Sequence, residues 1–295
     1  MADHSHIEWT EATWNPITGC SVISPGCTNC YAMRLAGTRL KHLPSREGLT
    51  TIGKAGPVWN GQVRFNREWL TQPLQWKRPR RIFVCAHGDL FHENVPDDWI
   101  IDVFTIMAIA GHHTFQVLTK RPDRARDFFE ASDLLDDIYD NWYTYDGGAR
   151  EVYSWPLHNV WIGASAEDQL RYDQRLRHLE EVPATKRFWS LEPLLGPIDM
   201  KLRFVKPDWI IVGGESGNGA RPMHPDWARS IRDQCAAAGV PFFFKQWGGY
   251  LPAGQLMTDG RLWSPASGNS LHATKSLAGR FLDGVEHNAM PERRP

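Results

Sequence analysis

Short apolar runs alternate along the chain with segments whose apolar residues recur at helical spacing. The runs are residues 63–65, 81–85, 114–118, 160–163, 187–191, 209–212 and 241–244. They are too short for helices and mostly apolar, which predicts parallel strands covered on both faces. Residues 67–76, 97–110, 123–130, 168–180 and 226–238 carry the helical period between them. Pro-Asp pairs open three of these segments, at Pro96-Asp97, Pro122-Asp123 and Pro225-Asp226, and Gly239 stops the last. An eighth strand is predicted over residues 12–18, with a helix over 30–41 behind it. Eight strand-then-helix units in about 250 residues predict an α/β fold, a (β/α)8 or partial TIM-type barrel. An open doubly wound sheet is the competing architecture.

Three stretches break this rhythm. Residues 43–62 are rich in Gly, Pro and Thr and read as a long loop; residues 132–158 are acidic and aromatic and read as an insertion. The predicted barrel domain spans 7–248, and 249–295 reads as an irregular C-terminal extension. Hydrophobic residues make up 42% and charged residues 23%, enough for a normal core and against general disorder. The net charge of −1 excludes a generic basic nucleic-acid coat. Nucleic acid then enters only as a substrate at a local site. No apolar run approaches the roughly 18 residues of a membrane span. The opening Met-Ala-Asp-His-Ser-His has no apolar core, so no secretory signal is expected and the expected location is cytoplasmic.

A parallel α/β fold places its site at the carboxyl ends of the strands. The strand list therefore becomes a site list. Lys120, Glu192 and Lys245 each follow an apolar run, and they are the catalytic candidates. Glu167 and the run Gly213-Gly214-Glu215-Ser216 are the cofactor-binding candidates. Charges of both signs in one mouth suit a ligand with amino and carboxylate groups. Asp168 reads as a helix N-cap.

Five cysteines are present, and Cys20, Cys27 and Cys30 fall close together as C-x6-C-x2-C. A reducing compartment argues against a disulfide framework. Three thiolates can hold three corners of a 4Fe–4S cluster and leave one iron for a small molecule. A zinc site completed by His4, His6 or His42 is a second reading, and three free buried thiols a third. Cys85 and Cys235 read as core thiols.

The pattern N-P-x-x-G-C-S…G-C-x-x-C-Y-A resembles the cluster loop of radical S-adenosylmethionine enzymes, notably the branch related to spore photoproduct lyase. It departs from that loop by six residues between Cys20 and Cys27 where three are usual. From residue 7 to about 248 the chain resembles a family of phage and prophage three-cysteine proteins of unassigned activity. The motifs are I-E-W-T-x-A-T-W-N-P at the start, D-L-F-H-E at 89–93 and L-T-K-R-P at 118–122. L-E-P-L-L-G-P-I at 191–198, G-G-E-S-G at 213–217 and F-K-Q-W-G at 244–248 complete them. The resemblance implies a 4Fe–4S cluster on Cys20, Cys27 and Cys30, with S-adenosylmethionine as cofactor. It implies reductive cleavage of that cofactor and hydrogen abstraction from a substrate. The substrate class would be a small molecule, a nucleotide or a nucleic-acid base. An electron donor such as a flavodoxin or ferredoxin would be the partner, in a host or phage-infected bacterial cell. The superfamily's Gly-Gly-Glu run lies on its second strand, whereas Gly213-Gly214-Glu215 falls on the apparent seventh. The alternatives are a zinc-stabilised binding module of phage origin without activity, or a barrel that binds nucleotide without catalysis.

Several other features carry less. Residues 48–55 nearly spell a phosphate-binding loop, but Ala55 lacks the hydroxyl such a loop needs. The basic run 77–81 reads as a solvated face. His87, Asp89, His92 and Glu93 read as local hydrogen bonding before a second metal. Trp161, Trp189 and Trp209 read as strand packing, while Trp14, Trp247 and Trp263 are candidates for stacking on a base.

Overall fold

The computed structural model describes residues 5, 7–131, 134–146, 155–202 and 206–292. Seven parallel strands form the central sheet: β1 (Ala12–Trp14), β2 (Arg81–Val84), β3 (Thr114–Thr119), β4 (Val160–Ser165), β5 (Lys186–Leu191), β6 (Trp209–Gly213) and β7 (Phe242–Gln246). They lie side by side in chain order, every neighbouring pair parallel. The helices are α1 (Tyr31–Gly37), α2 (Asp97–Ile109), α3 (Pro122–Ala131), α4 (Leu134–Asp146), α5 (Gln169–Glu181) and α6 (Pro225–Ala238), besides shorter turns. Crossovers that each return beside the preceding strand stack their helices on one face of the sheet. The result is a mixed α/β fold whose sheet is a seven-stranded parallel half-barrel flanked by helices.

Alternation along each strand divides the core in two. Val84, Val117, Ile162, Trp189, Val212 and Phe244 pack under the helices. Trp9, Trp161, Phe188, Trp209, Ile211 and Phe243 form a separate aromatic cluster. Helix ends follow their sequence signals. Asp168 caps α5 by accepting from Arg171 N at 2.9 Å, and Gly239 ends α6 in the left-handed region.

Among the described residues, seven strands stand in the sheet where eight were expected. Pro16 interrupts the predicted first strand, because a proline has no N–H for the ladder. Beyond it, Ile17–Thr18 pairs antiparallel with Arg64–Phe65. The run 63–65 therefore serves a small side sheet and is no part of the barrel wall. The predicted long loop at 43–62 contains a hairpin, Thr50–Gly53 against Gly56–Trp59, and the near-miss phosphate loop 48–55 supplies its first strand and turn. The insertion 132–158 contributes α4; residues 132–133 and 147–154 lie outside the described residues.

The extension after 248 is more ordered than expected. Tyr250–Leu251 pairs with Leu271–His272, and Gln255–Leu256 with Leu262–Trp263. Leu251, Met257, Ala278 and Leu282 join the main core. Further on, His287 O accepts from Phe244 N at 3.0 Å and Ala289 O from Trp209 Nε1 at 2.9 Å. The tail thus runs along β7. Among the described residues no helix is long and apolar enough to cross a membrane.

Candidate functional site

A cavity of about 440 Å³ opens at the carboxyl ends of the strands. Cys20, Cys27 and Cys30 all line it, together with Lys120, Glu192, Lys245, Gly214, Glu215 and Ser216. Ile7, Trp9, Phe83 and Leu118 give it an apolar floor. The strand-end reasoning thus brings most of the predicted residues into one place. Gly213 and Glu167 stand outside the lining.

The first catalytic candidates form a pair. Lys245 Nζ lies 2.8 Å from both Glu192 oxygens, and Gln246 Nε2 donates to Glu192 Oε1 at 3.2 Å. Lys120 follows β3 on the same wall, and its charge acts on Glu167. Gly214 sits where β6 leaves the sheet. A Cβ there would stand 2.0 Å from Trp247 O, so the close approach of β6 to the end of β7 requires glycine.

The six residues between Cys20 and Cys27 are gripped from four strand ends. After β2 and β3, Arg121 Nη2 donates to Ser21 Oγ at 2.6 Å, and Ser21 Oγ donates to Glu93 Oε1 at 2.9 Å. His92 Nδ1 accepts from Asn94 N, which leaves the proton on Nε2 to reach Ser21 Oγ at 3.0 Å. After β4, Glu167 accepts from Gly26 N at 2.9 Å and faces Arg175 Nη1 at 3.3 Å. After β6, Glu215 holds Arg221 at 2.6 Å and accepts from Asn29 Nδ2 at 2.9 Å, while Arg221 Nη2 reaches Pro25 O at 3.0 Å. Gly26 fits tightly here: a Cβ would meet the Glu167 carboxylate carbon at 3.0 Å.

Electrostatics follow these contacts. Burial alone raises the Glu167 carboxyl, but Lys120, Ser24, the Gly26 N–H and Arg175 outweigh it and hold the group below its usual range. For Glu215 burial is likewise outweighed, by Arg221 and Asn29. Burial, with Asp89 alongside, pushes the Cys20 thiol up to about 12 against the pull of Arg121. Asp89 accepts from Thr119 Oγ1 at 2.7 Å and from Arg121 Nη1 at 3.0 Å. The polar residues of 89–93 thus hold Arg121 and Ser21.

Among the described residues, no three His, Cys, Asp or Glu side chains gather as around a single ion. His4 and His6 lie outside the described residues. Trp14 and Trp247, candidates for stacking on a base, are fully buried and donate to Trp69 O and Phe281 O. Arg121, Ser21, Arg175 and Arg221 were not picked out from sequence. Arg121 meets Ser21 across 100 positions and Glu93 and Asp89 across 28 and 32, while Arg221 and Arg175 sit six and eight positions from the acids they hold.

Fold and site define a parallel α/β half-barrel protein with a thiol-lined cavity at the carboxyl ends of its strands. Over residues 4–291 the chain matches the family described as protein of unknown function DUF5131, and it belongs to that family. No curated protein and no solved structure matches it.

Proposed function

We propose that the protein is a radical S-adenosylmethionine-type enzyme on a partial barrel, with a 4Fe–4S cluster held by Cys20, Cys27 and Cys30. The observation that carries the reading is the shared cavity: three thiols follow the first strand and line one chamber with Lys120, Glu192 and Lys245. The donor set fits the group. Thiolates are the ligands iron–sulfur clusters take, and each binds a separate iron, so the donors need not converge on one point. Cys20 also has a cationic neighbour in Arg121 to offset thiolate charge. Such a centre, with S-adenosylmethionine bound, supplies reductive cleavage of the sulfonium and hydrogen abstraction from a substrate.

The chain's own residues do the rest. The grips from four strand ends hold the cysteine loop over the cavity. The Lys245–Glu192 pair presents a donor beside an acceptor, which suits a ligand with amino and carboxylate or amide groups. Gly214, Glu215 and Ser216 border the same chamber as the apolar Ile7, Trp9, Phe83 and Leu118. A small molecule, a nucleotide or a nucleic-acid base is the proposed substrate class, nucleic acid entering only as substrate. A flavodoxin or ferredoxin in a bacterial cytoplasm is the proposed electron donor.

The test is anaerobic iron and sulfide reconstitution, followed by visible and electron paramagnetic resonance spectra and an assay for 5′-deoxyadenosine under reductant. A cluster lost on replacing Cys20, Cys27 and Cys30 together, with 5′-deoxyadenosine formed by the wild type, supports the reading. Stoichiometric zinc with no cofactor cleavage overturns it in favour of a binding module.

A further inference from the structure

We propose that Arg121 is a positioning residue that sets the reduction potential of the metal centre through Cys20; this rests on the iron–sulfur reading above. Arg121 follows β3, and its side chain is 8% exposed. Nη1 lies 3.7 Å from Cys20 Sγ and 3.0 Å from Asp89 Oδ2. Nε lies 2.6 Å from Glu93 Oε2, and Nη2 lies 2.6 Å from Ser21 Oγ. Four contacts in different directions fix the planar guanidinium in one orientation.

The bonds to Ser21 and Glu93 suffice to hold the loop. The contact with sulfur is additional, and it singles out one thiol. Cys27 Sγ instead meets the neutral Ser24 Oγ, at 3.7 Å. Asp89 is fixed as firmly as Arg121, by Thr119 Oγ1 at 2.7 Å, Phe91 N at 3.1 Å and Lys120 N at 3.2 Å. Neither charge can swing away from the sulfur.

An electron added to a thiolate-bound cluster increases negative charge on the sulfurs. A guanidinium against one sulfur stabilises the reduced form more than the oxidised form and raises the potential. The Asp89 carboxylate acts in the opposite sense, because it offsets the guanidinium and repels the thiolate. Both groups are largely shielded from water, so salt screens them little. Arg121 and Asp89 therefore form a matched pair of opposite influences on one ligand.

The experiment compares reconstituted wild type, Arg121→Gln and Asp89→Asn in an anaerobic redox titration followed by electron paramagnetic resonance. Arg121→Gln shifts the midpoint negative by about 59 mV, a tenfold change in the one-electron equilibrium. Asp89→Asn shifts it positive. A merely loosened loop moves both variants in the same direction, so shifts of one sign, or none, overturn the assignment while the cluster reading stands. Should Arg121→Gln fail to fold, Asp89→Asn decides alone: a midpoint above wild type supports the proposal, and one at or below it overturns it. A wild-type protein that takes up no iron overturns this proposal together with the reading beneath it.

Discussion

Replacing Glu167 by Gln separates two roles for a strand-end acid. The Glu167 side chain is wholly buried, and that of Arg175 is 10% exposed. Glutamine keeps the size and an oxygen for Gly26 N, but it removes the charge opposite Arg175. Arg175 then retains Ser165 O, at 2.9 Å, as a neutral partner. Removing one member of a buried pair costs about 3–5 kcal/mol. The single contact at 3.3 Å, without a bidentate fork, places the expected loss near the lower end, about 3 kcal/mol. Urea unfolding measures it as a midpoint shift at unchanged slope. Arg175→Met combined with Glu167→Gln should cost less than the two single losses added, with a coupling of about 1–3 kcal/mol. The pH dependence has a definite sign. The folded carboxyl lies below its ordinary 4.5, so its contribution is complete above pH 4.5 and is lost as pH falls through the folded value. The difference between wild type and variant therefore shrinks in acid. A variant within about 0.5 kcal/mol of wild type, yet with S-adenosylmethionine binding lost, refutes the loop-holding role and makes Glu167 a cofactor contact.

Gly214→Ala should lose about 3 kcal/mol or more in the same unfolding assay, since its Cβ would meet Trp247 O at 2.0 Å and no side-chain rotation relieves a backbone clash. Burial pushes the Cys85 and Cys235 thiols up to about 12; iodoacetamide at pH 8 followed by mass spectrometry should leave both unlabelled until the protein unfolds. Burial works against ionised Glu93, but its own backbone N–H, Arg121 and Ser21 hold it down to about 2. Wild type should therefore lose stability as pH falls from 4.5 toward 2, and Glu93→Gln should show a flatter acid limb; identical limbs would show that the Glu93–Arg121 contact is not made in solution.

Much of the scaffold was readable because the information is local. Near-continuous apolar runs mark doubly covered strands, and Asp168 and Gly239 carry their capping roles in their own side chains and backbone. The first strand was read too long because Pro16 was counted inside it, although its missing N–H already marks the break. Residues 63–65 carry a strand pattern and do form a strand, but a three-residue run does not say which sheet it joins. The site was legible in part for the same reason. Topology alone carries Lys120, Glu192 and Lys245 to one mouth, yet it does not say what each polar group faces there. Glu167 meets Gly26 across 141 positions and Glu215 meets Asn29 across 186, pairings that no spacing rule encodes. The six-residue gap between Cys20 and Cys27 was visible in the sequence, but the distant partners that fasten it were not. Ser21 is held by Arg121, the Gly26 N–H by Glu167 and the Pro25 carbonyl by Arg221. The loop residues and the strand-end acids answer one requirement: a cysteine loop lying over an open half-barrel has to be fastened at several strand ends to hold one position.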